Sequence, residues 1–229
     1  MINPQTLSNP NFKAILEQEI RKESKNVNVN PPLFEKMVNA LILVENLQNE
    51  GLDFIFKGGT SLVLLLDGSL KRFSIDIDII TLQSKQEIEA ILTKICQKKI
   101  FQSWTLVEKR SYQKGNIPKA HYELEFIPNS TLKNDNKILL DILFEENMYS
   151  KTNKISIQKN WLAFQQPSIE INCPTIEAIT GDKLTAFAPN TIGIKYGQNK
   201  GIEIIKQLFD LGNLFDEIQD FETTKNTYL

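Results

Sequence analysis

The chain has 229 residues, 41% of them hydrophobic and 24% charged, with a formal net charge of −2. That balance describes a packed globular protein of one large or two small domains and excludes wholesale disorder. It also excludes a protein that coats nucleic acid non-specifically, so any nucleic-acid contact has to come from a local basic patch or be brief.

Two cysteines, Cys96 and Cys173, stand far apart, and His121 is the only histidine. A disulfide framework is not expected, a reducing compartment fits, and a zinc site of the usual nitrogen and sulfur type is nearly excluded. Any metal would therefore be held by carboxylates, which points to a hard ion such as magnesium or manganese. The N-terminal stretch lacks the basic start and apolar core of a signal peptide. No run approaches the ~18 apolar residues of a membrane span. A cytoplasmic location and no membrane partner are expected.

In chain order, Asn9-Pro10 opens a polar helix over 10–24, which Asn30-Pro31-Pro32 interrupts. Leu33, Phe34, Met37, Val38, Leu41, Ile42 and Val44 recur at helical spacing and predict an amphipathic helix over 33–49. Asp53–Phe56 reads as a short strand, Lys57–Ser61 as a turn, and Leu62–Leu66 as the helix after it. Arg72–Thr81 is a predicted strand, and 84–99 a helix with Ile88, Ile91, Leu92 and Ile95 on one face. Strand-like runs follow at 101–109, 121–127 and 137–145, with 111–119 as an exposed hairpin loop. Residues 155–172 read as irregular or extended. Pro174 suits the first turn of a helix reaching Ala188. Pro189–Lys200 is a long loop, and a last helix is expected from Gly201 to about Asp216. The order predicts an α+β fold, with a mixed-sheet core over 50–150 and helices at both ends. A soft boundary near Tyr149–Asn160 divides it into 1–150 and a mainly helical 151–229.

Chemistry concentrates in two neighbouring stretches. In Ile75-Asp76-Ile77-Asp78-Ile79 the two aspartates lie at i and i+2, so on a strand they project to the same face, ~7 Å apart, while the isoleucines face the core. Side-by-side carboxylates on a buried strand are costly, and a divalent cation relieves them. The alternating pattern is equally that of an amphipathic edge strand with exposed aspartates. Just upstream, Lys57-Gly58-Gly59-Thr60-Ser61 joins a strand to a helix start. Such glycines let the backbone approach phosphate, the helix N-terminus offers free N–H groups, and Lys57, Thr60 and Ser61 add donors. A Gly-Gly turn alone is more often only a tight turn. Beside paired carboxylates it makes a site with one part for phosphate and one for the bridging cation. Asp141, isolated in Lys137-Ile-Leu-Leu-Asp-Ile-Leu-Phe, is costly there unless paired or metal-bound. It is the candidate third ligand or general base, or else a hydrogen-bonded structural aspartate.

Gly-Gly-Thr-Ser-Leu at 58–62 followed by Ser74-x-Asp76-x-Asp78 resembles the DNA polymerase β-type nucleotidyltransferase superfamily, and within it the AbiEii/AbiGii toxins of type IV toxin–antitoxin and abortive-infection systems. The likeness covers about 50–216. Thr180-Gly-Asp-Lys-Leu-Thr-Ala-Phe-Ala-Pro resembles that family's lysine helix, which implies that Lys183 acts on nucleotide phosphates. Ile205-Lys-Gln-Leu-Phe-Asp-Leu resembles its closing motif, which implies Asp210 as a functional acid. Lys206-Gln207 departs from the arginine-aspartate that many relatives carry there, which leaves a salt-bridge role at that pair open. Without the resemblance Lys183 reads as a solvated lysine, and Asp210 as an i−4 partner of Lys206.

The resemblance implies a magnesium-dependent transfer of a nucleotide from an NTP to an acceptor such as RNA, at the 3′ end of tRNA, and a cognate antitoxin partner. In that reading Asp76, Asp78 and Asp141 hold metal, Lys57 to Ser61 with Ser74 surround the nucleotide, and Lys183 steadies its phosphates. A small-molecule nucleotidyltransferase of the antibiotic-modifying kind and a non-catalytic nucleotide-binding partner are the competing readings. His121 reads as decoration of a strand, Trp104 and Trp161 as core or rim, and Lys109, Arg110, Lys114 and Lys119 as a solvated loop. The glycines of 189–200 suit either a mobile lid or an ordinary connection.

Overall fold

A computed structural model of the protein describes residues 31–66, 72–111, 118–128, 136–157 and 169–228. The expected helix over 10–24, Lys114 and Trp161 lie outside them. In chain order the elements are α1 (Pro31–Asn49), β1 (Ile55–Lys57), α2 (Gly58–Leu65), β2 (Ile77–Ile80), α3 (Lys85–Gln97), β3 (Ser103–Leu106), β4 (Lys119–Glu125), β5 (Lys137–Leu143), β6 (Thr152–Ser156), β7 (Glu170–Pro174), α4 (Ile176–Phe187), α5 (Gly201–Phe215) and α6 (Phe221–Tyr228). The strands form one mixed sheet in the order β3-β4-β5-β2-β1-β7-β6. Pairs β2–β5 and β1–β7 are parallel and the other neighbours antiparallel. The fold is α+β, as the order of elements predicts.

Alternation divides the central strands into two faces. Ile77 and Ile79 of β2, Ile138, Leu140 and Ile142 of β5, and Ala120, Tyr122 and Leu124 of β4 are all buried on one side. Helices α1 and α3 join the same core through Leu41, Leu47, Ile88, Leu92 and Ile95. Each such aliphatic side chain contributes about 1.5–3 kcal/mol relative to exposure. The alternate positions between them, Asp78, Asp141 and His121, are left on the other face and are only partly covered. The core thus fixes which way the acids point.

Several elements differ from expectation for identifiable reasons. Helix α1 is not amphipathic: every residue from Glu35 to Leu47 is buried. Its polar Asn39 and Asn46 satisfy themselves by donating to the carbonyls of Glu35 and Ile42 one turn back, at 2.9 and 2.8 Å. Strand β2 begins only at Ile77. Its partner β1 ends at Lys57, opposite Asp78, where the chain turns into α2, so residues 72–76 are extended with no β1 residue to pair with. Strands β6 and β7 take up the two ends of the segment read as irregular or extended, and β7 holds Pro174, so Thr175 rather than proline starts α4 by accepting from the Ala178 N–H. The helix after 200 is not the last. Helix α6 packs on α4 so closely that a Cβ on Gly181 would lie 2.4 Å from the Thr224 carbonyl oxygen.

Candidate active site

The site assembles where the middle of the sheet meets three helices. Gly58 is both the turn and the first residue of α2, in a left-handed conformation at φ 78° that glycine adopts without penalty. One residue therefore does what the sequence suggests for a five-residue turn, and the helix starts four residues earlier than Leu62. A second constraint bars any side chain at Gly58: a Cβ there would sit 2.0 Å from Oδ2 of Asp78. The carboxylate of the acid strand lies directly over the glycine bend. At the next position a Cβ would meet Arg72 Nη2 and Ser74 Oγ, both at 2.8 Å. Extended Lys57 precedes α2 and supplies no side-chain cap, so the first-turn N–H groups of this helix are not satisfied by one.

Hydroxyls brace the bend from inside. Thr60 and Ser61 are fully buried. The Thr60 hydroxyl donates to the Asp76 carbonyl at 2.5 Å and lies 3.0 Å from the Ser74 hydroxyl, while Ser61 donates to the Gly58 carbonyl at 2.9 Å. These two side chains therefore shape the loop.

The three sequence-predicted acids come together. Asp78 and Asp141 are paired residues on adjacent parallel strands, and Asp76 precedes them on the extended lead-in, open to solvent. Burial, then Asp141 and Asp76, push the Asp78 carboxyl up to about 6 against the pull of Lys57 and Lys183. The Asp76 side chain reaches solvent, but the protein packed around it and the charge of Asp141 still raise its carboxyl, tempered by Lys206, Arg110 and Lys36. Asp141 is engaged from the other side: His121, its cross-strand partner, brings Nδ1 to 2.5 Å from Oδ1, and Arg110 lies 3.6 Å from Oδ2. His121 is thus part of the acid cluster rather than mere strand decoration.

Cations line the opposite wall. Asp210 on α5 is buried, yet three nitrogens reach it: Arg72 Nε on Oδ1 and Nη2 on Oδ2, each at 2.6 Å, and Lys183 of α4 on Oδ2 at 2.8 Å. Burial would raise this carboxyl, but the hydrogen bonds and charges of Arg72 and Lys183 outweigh it and hold it below its ordinary range. Asp210 does not pair with Lys206 in the way its i−4 spacing suggests. Lys57 lies 3.4 Å from Asp182 and over the Tyr149 ring, whose hydroxyl donates to Asp182 at 3.0 Å. Burial first, and Asp182 next, hold the Tyr149 phenol in its protonated form well above its usual range.

Sequence reasoning passed over Arg72, Tyr149, Asp182 and the pairing of His121. Only Arg72 had a local signal, its place four residues before Asp76.

The donor set fits a hard cation. Its oxygens come from carboxylates, and burial together with the neighbouring Asp141 makes Asp76 and Asp78 weaker acids than usual, which disfavours their charged forms. Among the described residues no three His, Cys, Asp or Glu side chains are drawn into a finished cage.

The family described as nucleotidyl transferase AbiEii toxin, type IV toxin–antitoxin system, matches residues 41–228. No curated relative matches the chain by sequence. Among solved structures, the fold is similar to JHP933 from Helicobacter pylori, at TM-score 0.52 and 18% identity over 84% of this chain and 70% of that one. It is likewise similar to MenT4, a nucleotidyltransferase toxin from Mycobacterium tuberculosis, at TM-score 0.52 and 13% identity over 93% of this chain and 68% of that one. At these identities the likeness is one of fold. Among the described residues no helix is long and apolar enough to cross a membrane.

Proposed function

The chain belongs to the AbiEii family of nucleotidyl transferase toxins of type IV toxin–antitoxin systems, and on that premise we propose that it moves a nucleotide from an NTP to RNA, at the 3′ end of tRNA, with magnesium. Nucleotidyltransferase activity and an antitoxin partner come with the family. Metal, acceptor and residue roles are our reading. The observation that carries them is the Asp78 carboxylate lying where a side chain on Gly58 would be. It brings an acid in need of a cation against a bend able to take phosphate.

The residues divide the work. The backbone N–H groups at the start of α2, with Lys57 nearby, receive the β- and γ-phosphates. Asp76 and Asp78 would hold the metal, which when bound would offset charge on the departing pyrophosphate. Lys183 steadies the phosphates, and Asp210 keeps Lys183 in place. Ser74 borders the bend between Thr60 and Gly59. Asp141 holds a second ion or takes the proton of the attacking hydroxyl. As that proton leaves, the acceptor oxygen bonds to the α-phosphorus, and the bond to pyrophosphate breaks. The C-terminal part, 151–229, completes the nucleotide site by contributing Lys183 and Asp210 and acts in the cytoplasm as part of the toxin.

Incubating the protein with magnesium, total RNA and each labelled NTP in turn tests the reading. We expect label in tRNA with one NTP, and none with the Asp76→Ala variant although it keeps the wild-type melting profile. An unchanged rate in Asp76→Ala would refute the metal assignment. Label that appears only in small hydroxyl compounds would refute the RNA acceptor.

A further inference from the structure

The mechanism leaves one strongly placed cation without a task. Arg72 sits on the extended lead-in to β2, and Asp210 grips one side of its guanidinium through Nε and Nη2. Nη1 donates to the Phe73 carbonyl at 3.1 Å. A guanidinium has five N–H donors, and these bonds use three of them. One hydrogen on each terminal nitrogen remains, and together those two form the end-on fork that matches paired oxygens of a phosphate.

The fork's location is as informative as its vacancy. Nη2 lies 2.8 Å from the position of a Cβ on Gly59, so the guanidinium rests on the backbone at the first turn of α2. The side chain is 24% exposed, enough for an incoming group to reach it, while its anchor Asp210 is 4% exposed. Charge points the same way. Arg72 and Lys183 share one carboxylate, so this wall keeps an excess positive charge beside the positive end of a helix. A purely structural ion pair would need neither the second cation nor the open fork.

We propose that Arg72 is a direct ligand of the nucleotide's terminal phosphates, held ready by Asp210 and aimed over Gly59. The assignment rests on the nucleotidyltransferase reading above and adds to it the group that discriminates a triphosphate from a monophosphate. Lysine would be a poor replacement, because a single ammonium cannot hold Asp210 side-on and phosphate end-on together.

Titration calorimetry with inorganic tripolyphosphate and, separately, a nucleoside monophosphate tests this on wild type, Arg72→Gln and Arg72→Lys. Arg72→Gln leaves Asp210 paired with Lys183, so the fold is expected to survive. Tripolyphosphate affinity should fall about ten- to hundredfold in Arg72→Gln and by less in Arg72→Lys, the cost of lost charge-assisted hydrogen bonds. Monophosphate affinity should change less than threefold. If Arg72→Gln does not fold, Arg72→Lys carries the test, with a loss confined to tripolyphosphate still expected. Wild-type tripolyphosphate affinity in a folded variant, with only a lowered melting temperature, would make Arg72 a structural clamp and overturn the proposal. If wild type bound neither tripolyphosphate nor any NTP, the nucleotidyltransferase reading itself would fall, and this assignment with it.

Discussion

Around Asp210 a buried carboxylate meets an arginine and a lysine at hydrogen-bond distance. Around Asp78 a carboxylate of similar chemistry faces two further acids, and only Lys57 and Lys183 temper it from a distance. The first is held below its ordinary acidity range and the second pushed well above it. The two walls stand on either side of the same glycine bend, so the contrast is about function and not about depth. On the cationic wall the carboxylate already has its counterions, Arg72 and Lys183. The anionic wall is left short of positive charge, and in the proposed function a cation accompanying the NTP supplies it.

The sharpest way to break this contrast is Asp78→Asn. If the anionic wall exists to hold a cation, this variant should lose transfer by about a thousandfold or more, on the order of 4 kcal/mol of barrier. Radiolabel incorporation into RNA reads the loss, and residual activity within tenfold of wild type would remove Asp78 from the reaction.

Gly58→Ala attacks the junction of the walls. A left-handed alanine costs about 1–2 kcal/mol, and the collision with Asp78 adds about 1–3 kcal/mol of overpacking. Chemical denaturation should show the sum, together with lost NTP binding. An alanine tolerated within ~0.5 kcal/mol would mean that the bend and the acid do not interlock.

The pH dependence of stability sharpens the comparison further. Asp78 titrates near 6 in the folded chain, above its ordinary 3.8. The folded state therefore holds the extra proton between those values, and stability falls as pH rises through that window. The loss approaches 2–3 kcal/mol by pH 7. Melting curves at pH 4.5 and 7.5 should show it in wild type and much less in Asp78→Asn, and magnesium at pH 7.5 should restore part of it in wild type alone. Asp210, with its lowered value, works in the opposite direction, and its contribution disappears only at strongly acidic pH.

The mildest test concerns scaffolding. Thr175 caps the helix that presents Lys183 by accepting from the Ala178 N–H at 3.3 Å. Thr175→Ala should cost about 1 kcal/mol in denaturation and leave NTP affinity unchanged. An affinity change would show that Lys183 is positioned less firmly by Asp210 than the geometry indicates.

What the sequence disclosed and what it concealed follow from range. Asp76, Asp78 and the glycine pair announce themselves because their constraints are local: strand periodicity and a turn that only glycine makes. Asp141 is visible as a charge out of place in an apolar strand. Lys183 and Asp210 carry no such local mark and are legible only through likeness to a family. The bond from Arg72 to Asp210 spans 138 positions, and no pattern within a window of residues encodes it. Helix α6 escaped because its sequence, Phe-Glu-Thr-Thr-Lys-Asn-Thr-Tyr, has weak helix formers. It packs into the notch that Gly181 leaves in α4.

Strand β2 is four residues long and is gripped on both sides, by β1 antiparallel and β5 parallel. A slip by a single position would exchange Asp78 for an isoleucine, sink a charge among Leu140 and its neighbours, and leave an aliphatic side chain beside Asp141. Deletions or insertions of one residue within Ile77–Ile80 should therefore be lethal to fold and activity together. Evolution can retune this enzyme by replacing side chains in the segment but not by changing its length.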